Sequence, residues 1–450
     1  PLAGVYVSHF MPGGYSRRER SVNGRSTLLL LLTLGTSFAA PVPHPDSPVF
    51  YKDVLPILQQ NCQTCHRAGE IGPMPLVDFD GTRKWASAIR LAVSSRRMPP
   101  WFADPHVGSF RNDRRLSDAN IRTITEWIDA GAPAGNPADA PRPVDWVAGW
   151  SIGRPERVFE MPVDFDVPGS GVIPYQYAIV PTHFDHDTWV RLAEVRPGDR
   201  AHVHHAIVSV REPGSPWLRS KPAGIPFTLK RGDDSGGAPG ELLAGYGPGA
   251  LPELLEPGQA KLVKAGSDLV FQVHYTTNGK AGHDRSRIGL TFSAGKPRQR
   301  VLMLAAANVH FLIPPGDPDY RLDASVTLQH ESSLISLLPH MHLRGKSFDF
   351  RVRFPNGETR ALLAVPHYSY SWQLSYYLQD PLKLPAGTTI ECTAHFDNSP
   401  GNPNNPDPMK AVRFGAQSWD EMMIGYFEVA VDLTVGMRDL LIPGTGAHTM

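Results

Sequence analysis

The chain has 450 residues and carries 44 Lys plus Arg against 44 Asp plus Glu, so its formal charge is zero. Without an excess of cations it has no means of displacing counterions from phosphates, which excludes nucleic acid as a partner. Glycine (41) and proline (44) are abundant and cysteines number only three, which predicts short strands and many turns rather than a disulfide framework.

The first 40 residues have the pattern of a secretory signal peptide. Basic residues at positions 17, 18, 20 and 25 precede an apolar run at 28–34, and small residues follow at 39 and 40. The apolar run is shorter than the ~20 residues that cross a bilayer; an uncleaved membrane anchor is the alternative. We therefore expect an exported protein, periplasmic or extracellular, with no stable membrane span after signal cleavage.

Residues 48–136 have a helical pattern. Apolar residues at 54, 55, 57 and 58 share one side of a helix that ends at Cys62, and apolar residues repeat at helical spacing over 85–93. Ser117 is a suitable N-cap for another helix, and Gly131 is a suitable terminator. The pattern predicts an all-α domain over 48–136, followed by a Pro/Ala-rich linker at 137–150.

Beyond the linker, the pattern changes to short β-rich runs separated by Pro and Gly. Such runs at close spacing predict β-sandwiches, which we place at residues 151–298 and 299–440. The predicted strands are 175–181, 189–195, 203–210, 269–276, 333–338, 348–354, 389–396 and 423–433.

A C-x-x-C-H motif lies at Cys62, Cys65 and His66. Two thiols at this spacing can both add to the vinyl groups of one haem, and the adjacent histidine then becomes an axial ligand. A zinc site would need further soft ligands, of which only the distant Cys392 remains, and a redox dithiol is typical of a βαβ context. The motif in a helical, exported segment predicts a covalently attached c-type haem.

The helical segment resembles a class I cytochrome c domain in its leading helix, its C-x-x-C-H motif and its closing helix. Such domains use a methionine as the sixth iron ligand, because the soft thioether raises the reduction potential. By resemblance, Met98 in the sequence M-P-P-W lies where that fold places its methionine, and Met74 is the competitor.

Histidines form three groups in the β-rich part of the chain. His204 and His205 are adjacent, so in a regular strand they would face opposite sides and would reach one metal only if the strand bulges or ends there. His274 lies in the sequence F-Q-V-H-Y. His340 and His342 form an H-x-H, which puts both imidazoles on one face of a strand, about 7 Å apart at Cα, and suits two ligands of one metal.

Taken together, the order H-H, Q-x-H-Y, H-x-H and D-E-M over residues 150–440 resembles the type II copper monooxygenases, the family of the peptidylglycine α-hydroxylating and dopamine β-monooxygenases. The sequence I-P-P-G at 313–316 agrees with this family. The resemblance implies two copper ions, one that supplies electrons in the first sandwich and one that activates oxygen in the second. Imidazoles suit copper in both oxidation states, and a thioether favours Cu(I). The implied ligands are His204, His205 and His274 for the first copper, and His340, His342 and Met422 for the second, with Met423 as the neighbouring alternative.

The family resemblance also implies an overall fold and a further catalytic residue. The expected fold is multidomain, with a cytochrome c-like all-α domain followed by two jelly-roll-like, all-β copper domains. Tyr426 matches a family position beside the second copper. The substrate does not carry over, because Leu338 replaces the arginine that receives the substrate carboxylate in peptide-amidating members, and Ile424 replaces an asparagine.

The sequence predicts an exported enzyme that inserts one atom of O₂ into a C–H bond of an unidentified small molecule or peptide and reduces the other atom to water. Its electrons would be relayed by the haem, by ascorbate or by both, with ascorbate or a redox protein as the donor. The alternative from another class is a non-enzymatic haem and copper electron-transfer or copper-binding protein. The hypothesis of a thiol–disulfide enzyme is excluded if haem is attached to both cysteines of the motif.

Overall fold

The structure is a computed structural model that describes residues 47–146, 149–229, 240–247, 252–253 and 255–442. The predicted signal peptide at 1–40 lies outside these residues. Strands account for 37% of the structure and helices for 11%. None of the described helices combines the length and the apolar character that a membrane span needs.

The N-terminal part of the described chain holds four short α-helices around a small apolar core. Phe50 and Trp127 lie in this core with their ring centroids 5.8 Å apart. Ser117 caps the fourth helix as expected, since its side chain accepts the backbone N–H of Asn120, and Gly131 has the positive φ of a helix terminator. The helices are α1 (Leu55–Asn61), α2 (Phe79–Arg83), α3 (Ala86–Ser94) and α4 (Asp118–Asp129), with a π-helical turn (Phe50–Val54) before α1 and 3₁₀ turns at Pro137–Asp139 and Met437–Asp439.

The prediction of an all-α, cytochrome c-like domain over 48–136 is wrong. The longest of the four helices has 12 residues, and the described structure is mostly β-sheet. The chain between α3 and α4 leaves the helices and runs along two strands, Thr359–Val365 and Tyr376–Leu384. There the backbone N–H of Asp104 donates to the carbonyl of Ala364, and that of Arg111 donates to the carbonyl of Tyr377.

The side chains of this connecting segment belong to a β-sheet core rather than to a helical one. Trp101 and Phe110 are buried against Tyr376, and their rings lie 4.9 and 5.5 Å from the ring of that tyrosine. The sequence M-P-P-W at 98–101 explains the departure, because consecutive prolines disfavour helical backbone in the residue that precedes each of them. The N-terminal part is therefore not an independent helical unit.

The first β-sandwich packs two sheets around one apolar core. One sheet has the strand order β6-β3-β9-β5-β7, and the facing strands have the order β1-β11-β4-β8. Its strands are β1 (Arg157–Glu160), β2 (Phe165–Val167), β3 (Gln176–Pro181), β4 (Thr188–Arg196), β5 (Val203–Arg211), β6 (Phe227–Thr228), β7 (Glu241–Tyr246), β8 (Gln259–Val263), β9 (Asp268–Tyr275), β10 (Gly282–Asp284) and β11 (Arg287–Phe292).

The second β-sandwich packs the sheet β14-β19-β16-β17 against the strands β12-β21-β15-β18. The eight predicted strands all coincide with observed ones to within a few residues at each end. The strands of the second sandwich are β12 (Gln299–Asn308), β13 (Leu312–Ile313), β14 (Tyr320–Thr327), β15 (Ser332–His340), β16 (Gly345–Arg353), β17 (Thr359–Val365), β18 (Tyr376–Leu384), β19 (Thr389–Phe396), β20 (Val412–Arg413) and β21 (Met423–Val431).

The two sandwiches share one continuous sheet. Strands β8 and β12 pair in parallel, which joins four strands of each sandwich into a sheet of eight. The face of β21 that carries Met423, Phe427 and Val429 packs into the core of the second sandwich. Because side chains alternate along a strand, Ile424, Tyr426 and Glu428 face the opposite side, toward the first sandwich.

Candidate metal centres between the two sandwiches

The first histidine group lies where β5 begins and β9 ends. His205 pairs directly with His274, and the register between β5 and β9 shifts between Val203 and His205. Because of this irregularity, His204 does not follow the regular alternation of side chains along β5. A bulge of this kind is what the sequence analysis required for both adjacent histidines to reach one metal. The structure brings His204, His205 and His274 together, with one ring nitrogen of each within 4.8 Å of the others.

The chemistry of this group suits a metal cation. The Nδ1 atoms of His204 and His205 lie 3.1 Å apart, and the Nδ1 atom of His274 is buried without a hydrogen-bond partner among the described residues. Burial lowers the pKa of His204 to about 4 and that of His274 to about 3, so both imidazoles are neutral at pH 7. Neutral imidazoles with converging lone pairs are the usual nitrogen ligands of copper and zinc.

The second histidine group lies at the end of β15. The His340 and His342 ring centroids are 5.3 Å apart. The Nδ1 of His340 donates to the side-chain oxygen of Gln373 at 2.7 Å, and that of His342 contacts the carbonyl of Asp420 at 3.3 Å. Burial lowers the pKa of His342 to about 3. With each Nδ1 directed to an oxygen, each Nε2 keeps its lone pair for a ligand, as in metal sites of known proteins.

Of the two adjacent methionines, Met422 has the position that suits a ligand. Met423 is fully buried in the core of the second sandwich, where it fills space among apolar side chains. Met422 is half-buried just before β21. Glu421 holds this corner, because its carboxylate accepts the backbone N–H groups of Met422 and His342 at 3.2 and 2.9 Å. The assignment of Met422 as a metal ligand stays a prediction.

Tyr426 lies beside the second histidine group. Its ring centroid is 6.1 Å from that of His340, and burial raises the pKa of its hydroxyl to about 12. Leu338 pairs with Tyr426 across β15 and β21, and Ile424 pairs with His340. Paired residues share one face of the sheet, so the histidines at this face have apolar neighbours.

The two histidine groups face each other across the interface between the sandwiches. Tyr370 lies between them, with its ring stacked on His204 at 4.9 Å and perpendicular to His342 at 6.1 Å. The sequence pattern did not single out Tyr370 or Gln373, and it used Glu421 only as the middle residue of the D-E-M match. The H-x-H group and the D-E-M match signalled this place, whereas an isolated tyrosine or glutamine carries no spacing pattern of its own.

The C-x-x-C-H turn lies against the first sandwich. The Nδ1 of His66 is 3.1 Å from the carbonyl oxygen of Met74, an arrangement that leaves Nε2 for a ligand. Burial raises the pKa of the Cys62 thiol to about 12. Burial also raises the pKa of Cys65, against the opposite effect of nearby arginines. Two thiols and a histidine are the residue types that covalent attachment of a haem requires, and the haem stays a prediction.

The two candidate sixth ligands of the haem lie in different surroundings. Met74 packs against the helical core, and its carbonyl is the one that faces His66. Met98 is half-buried after α3, with its backbone N–H directed to the carbonyl of Ala92. The choice between them stays a prediction.

A cavity of about 960 Å³ lies on the second sandwich, away from these groups. Its lining includes Arg321, Asp323, Glu391 and His395 but none of the predicted metal ligands. The volume of a cavity alone does not indicate chemistry, and the converging imidazoles are the stronger signal.

In comparisons with known proteins, no family model and no curated protein matches the sequence. Solved structures that resemble the chain include the infectious bursal disease virus Gt strain, at 12% identity over 64% of this chain and 75% of that chain, with a TM-score of 0.17. Another is the VP2 subviral particle of infectious bursal disease virus, at 11% identity over 62% and 72%, with a TM-score of 0.18. At such TM-scores the likeness carries no argument about this chain.

Proposed function

We propose that this chain is a copper-dependent monooxygenase that hydroxylates a C–H bond with O₂. The observation that carries the proposal is the meeting of two unequal donor groups between the sandwiches. One consists of three neutral imidazoles, and the other of two imidazoles beside a half-buried methionine. Unequal donor sets suit two coppers with different tasks, since a thioether favours Cu(I) over Cu(II).

The residues of the second group would hold and orient a copper rather than exchange protons with it. Gln373 and the Asp420 carbonyl occupy the Nδ1 sides of His340 and His342, which leaves both Nε2 atoms for the metal. Copper bound there would supply the one-electron chemistry of the balanced reaction, in which RH, O₂, two electrons and two protons give ROH and water. A one-electron metal held at each of the two groups would match the two electrons of a turnover.

The substrate we propose is uncharged at the atoms that approach the second group. Leu338 and Ile424 share the sheet face of His340, and an apolar lining does not compensate a carboxylate for its lost hydration. An apolar or neutral C–H donor fits this face, and a peptide carboxylate does not.

We also propose that a covalent haem at Cys62 and Cys65 supplies the electrons, from ascorbate or an external redox protein. His66 would be one axial ligand. The carbonyl of Met74 faces the Nδ1 of His66, so the Met74 segment would orient that histidine, which supports Met98 as the second ligand that a haem would take. Haem attachment and copper loading both agree with the expected export of the chain.

The proposal is tested by loading the full chain with copper and measuring oxygen uptake with a reductant. We expect two copper ions per chain. His274→Ala should remove one of them and Met422→Ala should weaken the other, each leaving the spectrum of the remaining copper intact. Both variants should abolish reductant-dependent hydroxylation.

His395→Ala is the matched control, because His395 lies on β19. This strand belongs to the sheet β14-β19-β16-β17, which is the outer sheet of the second sandwich. It should keep both coppers and full activity. Loss of the same copper in both ligand variants would refute the partition into two sites. Two intact coppers without oxygen uptake would favour the electron-transfer or copper-binding alternative instead.

A further inference from the structure

The loop between β17 and β18, residues 366–375, surrounds the H-x-H group. The hydroxyl of Tyr368 donates to the carbonyl of Met341 at 2.7 Å and accepts the backbone N–H of the same residue at 3.0 Å. Gln373 accepts the Nδ1 proton of His340 at 2.7 Å. Two residues of one short loop therefore hold consecutive residues of the H-x-H group.

Tyr370 extends this loop to the other sandwich. Its ring lies 4.9 Å from the His204 ring with an interplanar angle of 15°, and 6.1 Å from the His342 ring with an angle of 88°. The first geometry is a stacked pair and the second an edge-to-face pair, both favourable for aromatic rings. A single side chain is thus in contact with one predicted ligand of each metal group.

We propose that Tyr370 is a positioning residue that couples the two metal groups. This inference rests on the proposed function, since it takes both histidine groups as copper sites. A metal that fixes the orientation of His204 also fixes the ring stacked on it, and that ring then restricts His342. By linkage, loading either group increases the affinity of the other by the same factor.

The ring of Tyr370, rather than its hydroxyl, makes both contacts. Tyr370→Phe should therefore preserve the coupling and Tyr370→Leu should remove it. Tyr320→Leu is the matched control, because Tyr320 is a partly buried tyrosine of the same sandwich on β14, in the opposite sheet. It reports the general effect of removing an aromatic ring from this sandwich.

The first measurement uses the metal-free full chain with labelled histidines. We expect nuclear Overhauser contacts from the Tyr370 ring protons to both His204 and His342. Tyr370→Leu should shift the imidazole C–H resonances of both histidines by more than a line width, through loss of the ring current, whereas Tyr370→Phe and Tyr320→Leu should leave them in place. Absence of either contact in the wild type would overturn the proposal, even if the leucine variant does not fold.

The second measurement is the affinity of the second group for Cu(I), with the first group intact or disabled by His274→Ala. We expect a loss of at least about fivefold on disabling the first group, which is the low end of typical coupling. The same loss of Cu(I) affinity should be seen in the Tyr370→Phe background. In the Tyr370→Leu background, disabling the first group should change the affinity by no more than the experimental error. An equal loss in all three backgrounds would refute the coupling role. If the wild type binds no copper, the proposed function fails, while the resonance shifts still decide whether Tyr370 joins the two groups.

Discussion

Glu421 shows how one side chain organises the second donor group. It is fully buried, and its carboxyl group accepts backbone N–H groups from His342, Arg344 and Met422. Two of these belong to predicted ligands that are 80 positions apart in the chain, so a single carboxyl group fixes the turn after β15 relative to the start of β21. Burial raises the pKa of the Glu421 carboxyl to about 8, so the group is mostly neutral at pH 7 and each of these hydrogen bonds is worth about 0.5–1.5 kcal/mol.

Glu421→Gln should weaken the second group more than it weakens the fold. The amide retains one oxygen but presents an NH₂ toward backbone donors, so at least one of the three hydrogen bonds is lost. We expect Cu(I) affinity at this group to fall about tenfold, the low end for residues that orient metal ligands. Copper titration in a His274→Ala background isolates this site.

Glu391→Gln is the matched control for this prediction, because Glu391 pairs with Arg353 on the outer sheet. It should leave copper affinity unchanged. Equal affinities for the Glu421 and Glu391 variants would show that Glu421 has no positioning role.

At the scale of elements, the C-x-x-C-H turn is held against the end of β7. Glu70, four residues after the motif, forms ion pairs with Arg67 of the turn and Arg200 of the first sandwich. Arg200 lies over the ring of Tyr246 at 6.0 Å, and Cys65 and Tyr246 line the same small cavity. Tyr246 pairs with Ala206, next to His205 on β5. The predicted haem site and the first histidine group are therefore joined by two neighbouring strands.

Arg200→Glu should slow electron delivery from the haem to the first group. The substitution places two carboxylates side by side, and a cost of about 1.4 kcal/mol at this contact would lower the equilibrium constant for docking of the turn on the sandwich about tenfold. The measurement is the rate at which pre-reduced haem is oxidised after mixing with oxidised copper centres. It uses protein in which a denaturing gel has first shown that the haem stays attached to the chain. In the wild type this rate should not change on dilution.

Adding Glu70→Arg to Arg200→Glu should restore part of the rate by exchanging the charges. Arg353→Glu, a reversal in an ion pair on the outer sheet, should have no effect. A wild-type rate that rises with protein concentration would instead make the haem segment an intermolecular carrier.

At the scale of the whole molecule, buried ion pairs connect the sandwiches. Lys261 on β8 contacts Glu428 on β21 at 2.9 Å and Glu253 at 2.7 Å, and Ser336 donates to Glu428. A second buried pair joins Glu241 on β7 to Arg300 on β12 at 2.6 Å. Removing one partner of such a pair costs about 3–5 kcal/mol, because the other charge stays buried without compensation. These pairs therefore tie strands β7 and β8 of the first sandwich to strands β12 and β21 of the second.

The Lys261 cluster also predicts a pH dependence of stability. Burial and the neighbouring Glu428 carboxylate raise the pKa of Glu253 to about 8, against an ordinary value of 4.5. The folded state then binds this proton more tightly than the unfolded state does, so the contribution is complete below pH 4.5 and is lost as the pH rises through about 8. The unfolding free energy should fall between pH 6 and pH 9.

Glu253→Gln should flatten this part of the stability curve, since the amide stays neutral at every pH. Denaturant unfolding of the wild type and the variant at pH 6 and pH 9 measures the difference. Glu358→Gln, at an exposed glutamate, should keep the wild-type slope. A Glu253 variant with the wild-type slope would show that another group titrates in this range.

Local patterns in the sequence predicted much of the secondary structure. The strand 389–396 matches β19 at both ends, and Ser117 caps α4 as predicted. The spacing of His340 and His342 predicted both side chains on one face of a strand, but β15 ends at His340, so His342 lies just beyond the strand. The features that match depend on neighbours in the chain, so they follow from the sequence without the rest of the fold.

Only the tertiary structure decided which residues pack against the apolar face of each helix and strand. Met423 rather than Met422 fills the core, Tyr370 lies between the histidine groups, and Trp101 leaves the helices for the second sandwich. The helical pattern of 48–136 was the misleading signal, because it showed apolar faces without showing that β-strands cover part of them. Periodicity records which side of an element is apolar, whereas the partner of that side is set by contacts between residues far apart in the chain.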